Sequence, residues 1–457
     1  MKKNIIYIHT HDSGRVLSPY GYDVPTPHLQ DFAEDATLFK QAYSAGPTCS
    51  PSRAALLTGM YPHSNGMLGL SQRGFTLNDY DQHLANYLKK QGYHTALCGI
   101  QHESSSYLDP DTGAKTIGYD ENLSTDNTGM SEEELVQWDY NNANQVSAWL
   151  KDRDQEQPFF LSLGFFATHR RFPLEGRQKN ADADHVNPPY PVPDRPESRS
   201  DYAGYLNSAT WFDEAFHIVI ETLKETGLYE QSIIIFTTDH GIAFPFSKCT
   251  LYDSGIGVSL IMRVPESQMQ GKVIDDLVSQ VDIFPTLCDL QDMTQPDYLQ
   301  GASFAHVFDK EETKARDDIF AEINFHTSYE PVRAVRTKRY KYVRYFDDDY
   351  LWINQSNIDN SPTKSYYIEH ALGDVKKDKE ALYDLLYDAG ERHNVAGEAA
   401  YEDVLTDMRA RLETYQKQTD DPILNGHIDV QPEWKVNKRS CVNPSSKDPD
   451  DYISLPE

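Results

Sequence analysis

Short apolar runs spaced by longer amphipathic stretches constrain this chain more than any other feature. Residues 4–9 (Asn-Ile-Ile-Tyr-Ile-His) form the first run, and 95–99, 158–166, 232–237 and 258–264 repeat the pattern. Continuous apolar runs of this length, ending in polar residues, are expected to be buried strands. Between them, 26–35, 84–91, 131–151 and 202–226 carry helical patterns. Ser131 followed by Glu134 fits a capping box, in which the hydroxyl takes an orphan amide of the first turn. Strands alternating with helices predict an open α/β sheet with helices on both faces. Ligands of such sheets bind beyond the carboxyl ends of the strands.

The segment 171–199 is rich in Pro, Asp and Asn and reads as a long surface loop. From about residue 317 the texture changes. Residues 332–337 and 340–345 alternate around a short polar turn, as in a hairpin; 383–385 extend this, and 401–416 read as a closing helix. The expected organisation is a catalytic domain at 1–316, a smaller C-terminal α+β subdomain with an antiparallel sheet at 317–425, and a tail at 426–457 that packs on the body.

With 71 acidic and 42 basic residues, the net charge of -29 disfavours nucleic-acid binding, because no basic field attracts phosphates. No apolar run reaches the roughly 18 residues needed to span a bilayer. Met1-Lys2-Lys3 leads straight into the first strand without a secretory core, so the cytoplasm is the expected compartment. The cysteines at 49, 98, 249, 288 and 441 show no paired spacing, which excludes a disulfide framework or a zinc site. Cys98, Cys249 and Cys288 read as packing residues.

Cys49 is different. Cys49-Ser50-Pro51-Ser52-Arg53 runs into Ala54-Ala55-Leu56-Leu57-Thr58-Gly59. Pro51 presets a turn and a helix begins near Ser52, which puts residue 49 at a helix N-terminus that favours an anion. Arg53 offers a fixed charged fork. Polar clusters follow other strand ends: His9-Thr10-His11-Asp12-Ser13-Gly14-Arg15 after the first and Asp239-His240-Gly241 after 232–237. Two acidic clusters at neighbouring strand ends suit a hard divalent cation.

The pentapeptide with its Thr58-Gly59 extension resembles the signature of type I sulfatases, and the resemblance reaches nearly the whole chain. It also includes 282–287 (Asp-Ile-Phe-Pro-Thr-Leu) and 381–385 (Ala-Leu-Tyr-Asp-Leu). It implies an alkaline phosphatase-like fold, α/β with a mixed, mostly parallel central sheet. It further implies that Cys49 is oxidised to Cα-formylglycine, whose hydrate attacks sulfur with one hydroxyl and expels sulfate through the other. A formylglycine-generating or anaerobic sulfatase-maturing enzyme is then a partner, and self-association is left open.

The resemblance implies metal ligands at Asp12, Asp239, His240 and residue 49, with Ca2+ expected and Mg2+ or Mn2+ as alternatives. His11 stands where the family usually has Asp, and imidazole suits Mn2+ better than Ca2+. His102, in Gly99-Ile100-Gln101-His102, is implied as a base or hydrogen-bonding partner of the nucleophile. His169, ending 159–169, is implied as the group that protonates the leaving oxygen. Lys248 matches a sulfate-binding lysine. The other such lysine is Ile100 here, so Arg15, Gln101 and Arg170 are candidate substrate contacts in its place. Stretches 49–70 and 241–252 look most like heparan N-sulfatase.

The expected function is hydrolysis of a sulfate monoester of a sugar or aryl alcohol. Three alternatives stand beside it: a sulfamidase acting on N-sulfoglucosamine, a phosphonate monoester hydrolase or phosphodiesterase, and a non-catalytic binding protein of the same fold.

Overall fold

The computed structural model describes residues 2–105, 108–153, 157–177, 179–309 and 316–453. Met1, Gln178 in the 171–199 segment and residues 454–457 of the tail lie outside the described residues. So do 310–315, just before the expected boundary at 316/317.

Asn4–Thr10 (β1) is buried along its whole length. Its side chains alternate between two cores. Ile6 and Ile8 enter one core with Phe212 and Phe216 of helix Pro196–Glu225 and with Val146 and Leu150 of helix Leu135–Asp152. Ile5 and Tyr7 enter the other with Leu56 and Leu57 of helix Cys49–Thr58 and with Phe284 and Leu287 of helix Ile283–Leu290. A strand apolar on both faces needs cover on both faces, and the helices supply it.

The remaining strands are Thr37–Tyr43 (β2), His94–Gly99 (β3), Glu121–Asn122 (β4), Phe159–Gly164 (β5), Ser232–Thr238 (β6), Leu260–Arg263 (β7) and Val273–Ser279 (β8). They form one sheet in the order β4-β3-β5-β1-β6-β7-β2-β8. β1 pairs parallel with β5 and β6, whereas β7 is antiparallel to both its neighbours. The sheet is mixed and mostly parallel, as expected.

Three strands of this sheet escaped the sequence reading: β2, β8 and the two-residue β4. Polar Lys40 and Gln41 interrupt β2. In β8, Asp275 and Asp276 face outward from a sheet edge, where charge blocks further pairing. The long helix also starts earlier than expected, with Pro196 in its first turn, so the preceding loop is shorter than 171–199. The Ser131/Glu134 capping box is present; it closes a 3-10 turn at Glu132–Glu134 that runs into the helix Leu135–Asp152.

A second sheet of Asp318–Phe325 (β9), Tyr329–Thr337 (β10), Tyr340–Tyr345 (β11) and Glu380–Asp384 (β12) is antiparallel throughout, in the order β12-β11-β10-β9. Helix Glu402–Gln418 covers it through Leu405, Met408, Leu412 and Tyr415. The two sheets are tied by Asp253, which pairs with Arg336 at 2.9 Å and Lys341 at 2.5 Å. The tail then crosses back to the first half of the chain. Trp434 stacks on Phe75 at 4.3 Å, and Arg73 donates to Asn437 Oδ1 at 3.0 Å and Pro444 O at 2.6 Å. No helix among the described residues is long and apolar enough to cross a membrane.

Candidate active site

The carboxyl ends of β1, β3, β5 and β6 bring four sequence-distant clusters together. Cys49 opens its helix, one turn earlier than the expected Ser52 start, with extended Thr48 as the cap. Arg53, one turn on, points back under the strands. Its Nη2 meets Asp239 Oδ2 at 3.1 Å and Thr10 O at 3.3 Å, and its Nη1 bonds His9 Nδ1. Residue 12 takes a left-handed backbone (φ 52), and its N–H donates to Asp239 Oδ1 at 2.9 Å. Asp tolerates that region better than most residues. After β6 the chain turns so tightly that a Cβ on Gly241 would lie 1.8 Å from Ser254 O.

The cluster is buried and charge-compensated. Lys248 Nζ sits 3.0 Å from Asp12 Oδ2. Burial pushes the Asp12 carboxyl up, but Lys248 and His240 outweigh it and hold it well below the usual range. Asp239 behaves likewise, with His240, His11 and Arg53 overcoming burial. Lys248 is pulled down by burial and up by Asp12 and Asp359, and ends well above its ordinary value. Burial dominates at Cys49 and raises the thiol well above its usual range, despite Lys248. At neutral pH the cysteine is therefore an un-ionised thiol.

Four ligand atoms, one each from His11, Asp12, Cys49 and Asp239, lie within 4.8 Å of one another. His11 Nδ1 is 3.2 Å from Asp12 Oδ1 and 3.1 Å from Asp239 Oδ2. His240 Nδ1 lies 3.0 Å from the Gly241 carbonyl, an acceptor only, so a neutral ring turns its Nε2 lone pair inward. That nitrogen meets Asp12 Oδ1 at 3.3 Å and Cys49 Sγ at 3.5 Å. Lone pairs converging in a buried pocket fit a divalent cation.

Two further histidines line the same space. His102 Nε2 is 3.3 Å from His11 Nε2, and burial lowers His102 far below its ordinary value. His169 packs edge-on against His11 at 4.7 Å, with its Nδ1 on the Arg170 carbonyl and its Nε2 left for a ligand.

Three candidate substrate contacts are placed elsewhere. Arg15 donates to Ala42 O at 2.7 Å and lies over the Tyr43 ring at 4.5 Å. Gln101 Oε1 accepts from the amides of Glu103 and Ser104, which folds its own loop. Arg170 forks onto Asp201 at 2.6 and 2.9 Å, sandwiched near Phe172 and Phe244. All three side chains make bonds within the frame of the site. Ile100 packs with Leu135, Trp138 and Phe166, so a lysine there would enter an apolar cluster.

Sequence reasoning missed Ser52, Gln280 and Asp359. Ser52 Oγ lies 2.5 Å from Asp239 O and 2.7 Å from Gln280 Oε1, which locks the Cys49 helix to the β6 end. Ser52 stands inside the quoted motif, so its spacing from Cys49 was the available signal. Asp359 Oδ2 lies 2.9 Å from Lys248 Nζ; nothing local marks it.

A mixed sheet of this order, its polar cluster at the strand ends and an appended antiparallel sheet define a sulfuric ester hydrolase of alkaline phosphatase-like fold. Two family models match: "Sulfatase" over residues 3–293 and "N-sulphoglucosamine sulphohydrolase, C-terminal" over 239–378. The chain belongs to the sulfatase family. It is 27% identical to an ulvan-active sulfatase of Formosa agariphila, covering 91% of this chain and 74% of that protein. It is also 27% identical to the human N-sulphoglucosamine sulphohydrolase, covering 92% and 91%. Among solved structures, one described as bound to its substrate D-glucosamine-2-N,6-O-disulfate aligns with TM-score 0.69 at 19% identity, over 92% of this chain and 99% of that one. A 2-O GAG sulfatase aligns with TM-score 0.70 at 21% identity, over 98% and 99%.

Proposed function

We propose that the protein hydrolyses the sulfate group of a small sulfated sugar, with residue 49 as the source of the nucleophile. The observation that carries this is the convergence on Cys49 of Lys248, Asp12, Asp239 and His240 in one buried pocket, with Arg53 beneath. A neutral, buried thiol is a weak nucleophile, so the reading requires residue 49 to be converted to formylglycine by a formylglycine-generating or anaerobic sulfatase-maturing enzyme. The hydrated aldehyde then supplies a hydroxyl nucleophile to sulfur. Lys248 neutralises the sulfate oxygens, and Arg53 holds the base of the pocket rigid by its bonds to Asp239 and Thr10. His102 orients the nucleophile's hydroxyl. His169 Nε2 delivers the proton that the leaving sugar oxygen needs. Asp12, Asp239, His240 and His11 would hold a divalent cation, Ca2+ or the softer Mn2+, which adds positive charge where negative charge develops on the sulfate.

The sulfamidase alternative is favoured by one specific observation, the match of residues 239–378 to the C-terminal model of N-sulphoglucosamine sulphohydrolase. It uses the same groups, with the proton from His169 going to nitrogen.

Comparing kcat/KM for 4-nitrophenyl sulfate, glucosamine 6-sulfate, N-sulfoglucosamine and a phenylphosphonate monoester orders these readings. Turnover of neither sulfate ester nor sulfamate by protein made with a maturing enzyme rejects both. Peptide mass over residue 49 checks the chemistry: conversion of CH2SH to CHO lowers it by about 18 Da.

A further inference from the structure

Asp359 is a charged partner of the site that no strand-end motif supplies. It follows the 3-10 turn Gln355–Asn357 in the C-terminal part of the chain. Lys248 lies between two carboxylates, Asp12 at 3.0 Å and Asp359 at 2.9 Å, and they are not equivalent. The Asp12 side chain has no exposure and that of Lys248 has 4%, whereas that of Asp359 has 21%. Asp359 is thus the more exposed of the two partners of the lysine.

The charges felt by Asp359 come from Lys248 first, then Asp12, His326 and His169. Burial pushes its carboxyl up, and Lys248 more than offsets that and holds it at about 2, so the group is ionised. His326 is buried, and its Nδ1 has no hydrogen-bond partner. Burial, then Lys248, lower it to about 3, so the ring is neutral. Chain neighbours of His169 and Asp359 line a cavity of about 520 Å³. Its walls include Arg170 and Arg171, which follow His169, and Asn360, which follows Asp359.

An ionised carboxylate only accepts hydrogen bonds. Facing it, a ligand must present O–H or N–H; a carboxylate or second sulfate would be repelled strongly away from bulk water. We propose that Asp359 is a specificity-determining residue that accepts a hydrogen bond from a hydroxyl or amine beside the scissile sulfate. The ligand class is then a sugar that carries one sulfate and a free donor next to it. This rests on the sulfatase reading above.

The test reads a ratio. Cys49→Ala protein, which binds without turnover, is titrated calorimetrically with N-sulfoglucosamine and with 4-nitrophenyl sulfate, which has no donor beside its sulfate. The titrations are repeated after Asp359→Ala and after the shape-conserving Asp359→Asn, each checked for folding by thermal melting. The expected result is that the sugar-to-aryl affinity ratio falls about tenfold or more in Ala, the scale of a hydrogen bond to a charged group, and in the same direction in Asn. An unchanged ratio overturns the proposal, including the case where both ligands weaken equally because Asp359 only positions Lys248. If both ligands bind with the expected ratio change but Cys49-intact, matured enzyme turns over neither, the sulfatase reading fails and the specificity assignment stands.

Discussion

At the floor of the site, Asp12, Asp239, Arg53 and Lys248 pair at 3.0–3.1 Å with side chains no more than 4% exposed. At the rim, Asp359 is partly exposed and Arg171 is 75% exposed, its nearest acids at 3.7 and 3.8 Å. The floor is built by the large sheet and its helices. The rim comes from the loop after β5 and from the connection between β11 and β12 of the second sheet. In the dry floor each charge needs its partner, because an unpaired buried ion costs several kcal/mol. At the rim, water screens the charges, and exposed pairs such as those of Arg171 contribute ~0–1 kcal/mol. Floor residues are therefore committed to one chemistry, while rim residues are free to differ and to select the ligand.

Substitutions can break that contrast. Cys49→Ala should lower kcat/KM by at least about a thousandfold on every substrate alike, since no other group replaces a covalent nucleophile. Residual turnover above that level removes residue 49 from the chemistry. His169→Ala should lower kcat by about 10²–10⁴-fold with a smaller change in KM, and the loss should be least for a leaving group as acidic as 4-nitrophenol. A uniform loss across leaving groups would count against its role as acid. Chelation, or Asp239→Asn, should cost about a hundredfold in activity and lower Tm, with Mn2+ and Ca2+ compared for recovery. No change on chelation would reject the cation.

The frame supplies the control. Asp201→Ala strips the buried Arg170 fork of its partner and should cost roughly 3–5 kcal/mol in urea unfolding, with substrate preference untouched. A changed preference at full stability would return Arg170 to the substrate site. The smallest effect is at His63, 2.5 Å from Glu322. Burial pulls this histidine down, but Glu322 outweighs it and the value is raised. A base raised above its unfolded value of about 6.5 adds stability below that pH and loses it as pH climbs through the folded value. Unfolding free energy should fall from pH 6.5 upward in the wild type, by no more than ~1.4 kcal/mol per pH unit, with Tm following it, and both less steeply in His63→Gln. Parallel curves would show that His63 does not titrate with folding.

The same contrast explains what could be read from the sequence. Floor residues sit directly after buried strands or open a helix, so Asp12, Cys49, His102, His169, Asp239 and Lys248 were visible through local pattern and family resemblance. Asp359 and His326 reach the site only through tertiary folding, from segments whose local pattern is ordinary. Arg15 and Arg170 show the converse. They lie beside motif residues in sequence, yet one donates to the Ala42 carbonyl and the other is captured by Asp201. Adjacency along a strand end fixes the backbone's place but not where a long side chain finds its partner. The strands β2 and β8 escaped for a related reason, because polar side chains interrupt the apolar pattern in both.

The central position of β1 also sets a schedule for synthesis. Asn4–Thr10 is made first, but its neighbours on either side end at Gly164 and Thr238. At about 5–20 residues per second, the ribosome needs roughly 10–45 s to travel from Thr10 to Thr238. Until Gly164 is made β1 lacks both partners, and until Thr238 is made it lacks the second, so the helix that begins at Cys49 has no complete sheet to pack against. A chaperone has its longest opportunity then, and so does any enzyme that must reach the Cys49 side chain before the sheet closes over it.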